Sequence, residues 1–240
     1  MKFGIFAAAL LAAPLGFGAT AHAEDTLVPL HWQSQGTFGS YDQAALQRGF
    51  LVYQTVCASC HSASAVHYRD LTALGLTTEQ VADLIANIKQ DNQPVTLNSR
   101  LIGALPKAQA AATFGGAIPP DLSNMVAARP KGVAYVYHLL TGYQPAPADV
   151  TLMAKHYYNA AYPGNQIAMP APLTDNAVTY ADGTKATTAQ EASDVAAFLS
   201  WVSDPNLDAR RQIGLRAVIF LIFLTLLAIA TKRKIWRDVG

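Results

Sequence analysis

Cysteine is almost absent: 240 residues hold only two, three positions apart, so a multi-disulfide scaffold is excluded and a single local piece of sulfur chemistry remains. Charge is scarce as well. Asp, Glu, Lys and Arg make up 14% of the chain, too little for a disordered or coiled-coil protein, and 17 Lys+Arg against 16 Asp+Glu leave a net +1. That balance offers no basic field for a phosphate backbone, so nucleic acid is excluded as a partner. Alternating strand patterns are few, and neither an internal repeat nor a low-complexity tract occurs. What is plentiful is apolar side chain, 51% of residues, enough for one compact domain plus membrane-related segments.

Both ends of the chain carry such segments. Residues 1–23 run from Met1-Lys2 through an apolar stretch to Ala21-His22-Ala23, the three regions of a secretory signal. An uncleaved N-terminal anchor is the alternative reading, and either one exports the body of the protein. Near the other end, residues 217–231 are uncharged and mostly apolar. Extended back to Gln212, the run reaches twenty residues interrupted only by Arg216, whose long stem can snorkel to the headgroups. Lys232, Arg233, Lys234 and Arg237 follow with Trp236 among them, so the C-terminal tail is expected in the cytoplasm. The expected organisation is a signal peptide at 1–23, an exported domain at 24–208 and a single-pass anchor with a short tail at 209–240.

Four helices are expected in the exported part. Ser40-x-x-Gln43 resembles a capping box, and Leu46, Gly49, Phe50, Tyr53, Cys57 and Cys60 then recur at three- and four-residue steps along one face. A second helix spans 78 to about 89, with Leu84, Ile85 and Ile88 as its apolar stripe. A third runs over 132–141 and ends at Gly142 as a left-handed stop. Thr188-x-x-Glu191 caps a fourth, which Asp204-Pro205 ends. The loops at 90–116 and 143–187 are long for a compact domain, so something besides secondary structure is expected to hold them.

The two cysteines stand in Cys57-Ala58-Ser59-Cys60-His61, a C-x-x-C-H sequence and the signature of c-type haem attachment. One turn of helix separates the thiols so that each forms a thioether to one vinyl group, while the adjacent imidazole comes under the iron. A thioredoxin-like pair would need strand and helix alternation, which is lacking, and a zinc site would need further ligands where no other cysteine exists. Of the remaining ligand candidates, His31, His67, His138 and His156 read as surface or satisfied histidines. Met169 lies in the proline-stiffened loop Ile167-Ala168-Met169-Pro170-Ala171-Pro172, suited to coordinating iron, whereas Met153 sits in a polar setting. His and Met together at the axial positions raise the reduction potential and leave no open site on the metal. The job so implied is electron transfer.

Beyond this motif the chain resembles the cytochrome c1 family, the haem subunits of quinol:cytochrome c oxidoreductases, over nearly all of its mature length. The resemblance rests on Leu46-Gln47-Arg48-Gly49-Phe50-Leu51-Val52-Tyr53 leading into the motif, Tyr68-Arg69-Asp70-Leu71, Pro119-Pro120-Asp121-Leu122-Ser123, and Tyr135-Val136-Tyr137-His138-Leu139-Leu140-Thr141-Gly142-Tyr143. Ile167-Ala168-Met169-Pro170, Tyr180-x-Asp182-Gly183-Thr184 and Asp204-Pro205 extend it. It implies a mainly α fold: a c-type cytochrome domain with long haem-wrapping loops plus one C-terminal transmembrane helix. It further implies one covalent haem c on Cys57 and Cys60, iron ligation by His61 and Met169, haem packing by Pro119, Pro120 and Tyr135, and a propionate contact from Arg129. No substrate bond-making site is expected on the chain itself.

The implied partners are cytochrome b, the Rieske iron-sulfur protein, a soluble or membrane-anchored cytochrome c and the lipid bilayer, in a dimeric complex. The implied location is a bacterial inner membrane, with the haem domain in the periplasm. Two departures stand out against the family pattern. Residues 90–112 are short and lack its features, with Phe114-Gly115-Gly116 where an Asn-containing segment is usual, and acidic residues form no run that would dock a basic partner.

Overall fold

A computed structural model describes residues 31–90 and 93–237, so the signal peptide expected at 1–23 lies outside the described residues. The chain is mainly helical, in the order α1 (Gln43–Thr55), β1 (Ala63–His67), α2 (Thr78–Ile85), β2 (Lys89–Gln90), β3 (Gln93–Pro94), β4 (Arg100–Leu101), α3 (Lys107–Thr113), α4 (Val133–Thr141), β5 (Tyr157–Tyr158), β6 (Gln166–Ile167), α5 (Thr188–Ser203) and α6 (Leu207–Arg237). Two 3-10 turns, Cys57–Ser59 and Tyr68–Leu74, connect these elements. Three antiparallel pairs, β1 with β4, β2 with β3 and β5 with β6, complete the described secondary structure.

The core is the crossing of α1 and α5. Phe50 and Tyr53 from α1 meet Phe198 at ring-centroid distances of 5.6 and 5.5 Å, and Phe198 stacks on Trp201 at 5.8 Å. Such aromatic pairs add about 0.5–1.5 kcal/mol each to the apolar area they bury. The helices approach closely because Gly49 stands at the contact: a Cβ there would lie 2.0 Å from the carbonyl oxygen of Asp194. Beside the crossing, the Arg48 guanidinium pairs bidentately with buried Asp194 (2.9 and 3.1 Å) and reaches Asp182 at 2.8 Å. α4 packs on the same α5.

The helix ends differ from the sequence expectations in instructive ways. α1 is capped by Asp42, whose carboxylate accepts from the N–H groups of Ala44 (3.0 Å) and Ala45 (3.4 Å), in place of Ser40 with Gln43. Asp is as good an N-cap as Ser and stands one residue before the helix. α1 also stops at Thr55, so the cysteines ride on the 3-10 turn that follows it. α2 is capped by Thr77 with Gln80 and ends at Ile85, leaving Leu84 outside at 46% exposure. Gly142 ends α4 at φ −86°, so it is not a left-handed stop; it is required because a Cβ would meet the His138 oxygen at 2.6 Å and Asn159 Oδ1 at 2.9 Å.

α5 is capped by Thr187, whose hydroxyl accepts from the Gln190 N–H at 3.2 Å, in place of Thr188, which donates its N–H and hydroxyl to Asp175. Glu191 turns inward instead, fully buried, and accepts from the N–H of Val178 at 3.1 Å. The long loops at 90–116 and 143–187 contain β3, β4 and α3, and β5 and β6, respectively. Two-residue strands are too short to leave a periodic trace in sequence. Past the core, α6 is 31 residues long, exposed along its apolar run beyond buried Leu207, and long and apolar enough to cross a membrane. It is the feature that supports a single-span topology.

Candidate haem site

α1 delivers the chain to the Cys57–Ser59 turn, which closes through the N–H groups of Cys60 (3.0 Å) and His61 (2.8 Å), both donating to the carbonyl of Cys57. Ser59 reinforces the turn by donating its hydroxyl to the Val56 carbonyl at 2.7 Å. Neither thiol is bridged. Burial first, and the neighbouring Cys60 second, push the Cys57 thiol up to about 12, so it stays protonated at neutral pH.

His61 is held at its ring and at its backbone carbonyl. Its Nδ1 lies 2.8 Å from the Pro120 carbonyl, which accepts the ring N–H and leaves the Nε2 lone pair for a metal. Its backbone carbonyl accepts from the hydroxyl of buried Tyr53 at 3.1 Å. Burial lowers its pKa below the ordinary imidazole value, against opposing effects of the Pro120 bond and Asp121, and favours the neutral, ligating form. Residues Pro120 to Ser123 are fixed against the same strand: Ser64 N–H donates to Asp121 Oδ2 (3.1 Å), Ala65 N–H to Ser123 Oγ (2.9 Å), and Leu122 N–H to the Ser62 carbonyl (2.7 Å).

The segment after β4 closes behind the motif. A Cβ on Gly103 would lie 2.8 Å from the carbonyl carbon of His61 and 3.0 Å from that of Cys60, while Gly103 N–H donates to Ser62 Oγ (2.9 Å) and Ala104 N–H to the Ala58 carbonyl (2.9 Å). The 90–116 loop thus braces the turn at residues 57–61. Sequence reading had no means of finding Gly103, since a lone loop glycine carries no signal of what approaches it.

Of the other predicted site residues, Arg129 and Tyr135 meet through a cation–π contact. Arg129 lies with its guanidinium 5.0 Å from the Tyr135 ring centre, and Tyr135 is buried in α4. Just beyond α4, Tyr143 donates its hydroxyl to the Met169 carbonyl at 3.0 Å. Burial raises the Tyr143 pKa, with Tyr135 adding to the effect. Tyr143 was not among the expected site residues, although it follows Gly142 in a quoted stretch. Met169 itself is half-buried, Pro119 half-buried and Pro120 exposed. Met153 is exposed, as its polar setting suggested. Among the alternative histidines, His67 Nδ1 lies 3.3 Å from Asp70, His156 Nδ1 lies 3.0 Å from the Ala154 carbonyl, and His138 packs edge-on to Tyr137 at 5.3 Å.

The fit of these residues to a covalent haem rests on two features. A histidine whose Nδ1 is taken by a backbone carbonyl has the tautomer a metal ligand needs. In addition, Arg129 Nε is buried without a hydrogen-bond partner, a charged donor that a carboxylate from a bound group would satisfy. Among the described residues, no group of three or more His, Cys, Asp or Glu clusters as a metal cage. The set fits an iron brought in by a porphyrin rather than one caged by protein groups alone.

A helical domain that folds around a C-x-x-C-H turn and continues into one long apolar helix defines a class, that of c-type cytochrome domains carried on a C-terminal anchor. The comparisons narrow it. Residues 32–239 match the model described as the cytochrome C1 family, and the chain belongs to that family. It is 41% identical to cytochrome c1 of Rhodospirillum rubrum, covering 94% of each chain. It is 40% identical to the Arabidopsis thaliana protein named cytochrome c1 2, heme protein, mitochondrial, over 92% of this chain and 77% of that one. The Candida albicans protein named cytochrome b-c1 complex catalytic subunit is also 40% identical, over 92% and 82%.

Proposed function

We propose that the chain carries one haem c, bound through thioethers at Cys57 and Cys60, and serves as the electron-carrying subunit of a quinol:cytochrome c oxidoreductase. Family membership supports the electron-carrier role in a complex of this type, and the Candida relative's name places that relative in a b-c1 complex. The observation that carries the site assignment is the His61 to Pro120 hydrogen bond, which prepares one imidazole nitrogen for iron.

The haem supplies a one-electron couple at its iron. His61 would hold the iron through Nε2, its ring kept neutral by burial and oriented by Pro120. Met169, its backbone carbonyl tied down by the Tyr143 hydroxyl, would offer a thioether as a second ligand. The buried Arg129 Nε would pair with a carboxylate of the bound group, and Tyr135, Pro119 and Pro120 would pack against it. Low reorganisation follows from groups held before the electron arrives, which is the protein's share of the work.

The chain takes one electron at a time from the Rieske protein and passes it to a cytochrome c, soluble or membrane-anchored, while cytochrome b oxidises quinol in the same dimeric assembly. The domain at 24–208 stands in the periplasm of a bacterial inner membrane, anchored by 209–240 with its C-terminus in the cytoplasm, after export by 1–23. Four cations after the apolar run support that orientation. Replacing Met169→Ala in the holoprotein tests the assignment: loss of the low-spin Met-ligated spectrum with a fall in potential is expected, and an unchanged spectrum removes Met169 from the iron. Copurification with a cytochrome b and a Rieske protein tests the assembly.

A further inference from the structure

The start of α6 is clasped to a loop that the haem site does not use. Residues 31–41, His31-Trp32-Gln33-Ser34-Gln35-Gly36-Thr37-Phe38-Gly39-Ser40-Tyr41, contain no Asp, Glu, Lys or Arg. The loop folds back on itself, with N–H to carbonyl bonds from Gln35 to Trp32 (3.0 Å), Gly39 to Gly36 (3.4 Å) and Ser40 to Gln33 (3.1 Å). Its turn needs glycine at Gly36, where φ is +81°, and at Gly39, where a Cβ would lie 2.3 Å from the Gln35 oxygen. Trp32 is turned inward, donating its indole N–H to the Ser193 carbonyl at 3.3 Å. Phe38 is turned out, 81% exposed. A large apolar ring displayed on so closely bonded a loop calls for a cover.

The bonds to α6 fix the height at which the loop stands. Arg211 donates to the carbonyls of Ser34 (2.9 Å) and Gly39, and the Asp208 carboxylate accepts from the Tyr41 N–H at 3.2 Å. Between Arg211 and Lys232 lie twenty residues whose only charge is Arg216. At about 1.5 Å per residue they cover roughly 30 Å, the thickness of a hydrocarbon core. Arg211 therefore marks the headgroup level on the domain side, as Lys232 does on the other. A loop held by Arg211 stands at that level.

We infer that residues 31–41 form a lipid-facing foot whose Phe38 enters the boundary between headgroups and acyl chains. Lipid is the occupant because the loop is hydrogen-bonded to the start of the span, contains no Asp, Glu, Lys or Arg and offers one projecting ring. A protein partner would need a patch of about 800 Å² on this side. Phe is among the side chains that seat the apolar face of an interfacial segment at this depth. Helix and foot together give two attachments, which set the tilt of the domain over the bilayer. The inference depends on α6 spanning the membrane and not on the haem assignment.

The test places the photo-crosslinker p-benzoylphenylalanine in place of Phe38 in the full chain, irradiated in its native membrane, with adducts identified by mass spectrometry. The same probe in place of Phe220, exposed within the apolar part of α6, sets the yield for a lipid-facing position. Phe38 makes little contact with the fold, and unchanged thermal unfolding verifies that the substituted chain is native. Lipid adducts at both positions are expected. Lipid at position 220 with a polypeptide adduct, or none, at position 38 overturns the foot while leaving the anchor intact. Absence of lipid adducts at both overturns the span as well as the foot.

Discussion

Gly49→Ala is expected to destabilise the protein, although the same change in an exposed helix normally stabilises by about 1 kcal/mol. The reversal comes from the helix crossing. The added Cβ would sit 2.0 Å from the Asp194 carbonyl oxygen, 2.6 Å from its carbon and 2.8 Å from Phe198 Cβ. Two of these three atoms are backbone and the third is fixed to it, so no side chain can swing aside. Relief requires α1 and α5 to part, which loosens Phe50 and Tyr53 on Phe198 and strains the Arg48 pairing with Asp194. Overpacking of this kind costs about 1–3 kcal/mol, and the linked losses put the expected net effect near the top of that range. In a domain of this size class each kcal/mol moves Tm by about 2–4 °C, giving a fall of roughly 6–12 °C. Thermal unfolding of the detergent-solubilised holoprotein by far-ultraviolet circular dichroism reads it. Gly214→Ala in α6, where a Cβ meets nothing within 4 Å, serves as the control and does not lower Tm. A Tm for Gly49→Ala within about 1 °C of the parent, or above it, refutes the close crossing.

Arg48→Ala strands the buried Asp194 carboxylate and is expected to cost about 3–5 kcal/mol in urea unfolding, with Arg48→Lys recovering only part because an ammonium cannot reproduce the bidentate fork. Asn159→Ala removes the amide that donates to the Leu139 carbonyl (2.7 Å) and accepts from the Ala161 N–H (3.0 Å), costing about 1–3 kcal/mol for each group left unpaired. The same assay reads that loss. Burial raises the Glu191 pKa above the ordinary carboxylate value, opposed by the N–H groups of Val178 and Ala177 and assisted by Asp175. The folded chain thus holds this proton more tightly than the unfolded chain, so stability falls as pH rises from the ordinary value through the raised one. Glu191→Gln removes that slope, and the Tm difference between pH 5 and pH 8 is expected to shrink; an unchanged difference contradicts the assignment.

The parts of the fold legible in sequence are those written in local patterns. The α1 face, α4 and α5 follow from apolar spacing, and the α6 anchor follows from a long apolar run bounded by cations. Cap positions slipped by one or two residues because Ser40, Asp42, Thr187 and Thr188 are all competent caps, and only the backbone path selects among them. The proposed chemistry of the site is legible at Cys57, Cys60 and His61, because the proposed attachment draws on contiguous residues. Its supports are not. Tyr53, Gly103 and Tyr143 act on the motif or on Met169 from outside it, and their residue types are equally at home in an ordinary core or loop, while Pro120, expected only to pack on a haem, also offers its carbonyl to His61.

Intact-mass measurement of the chain purified from its native membrane, followed by mapping of the peptide that holds residues 57–61, tests the central claim most directly. The account predicts a single haem's added mass, retained under denaturing conditions and located on both cysteines of that peptide. Two free thiols there, or a disulfide between Cys57 and Cys60, would contradict it.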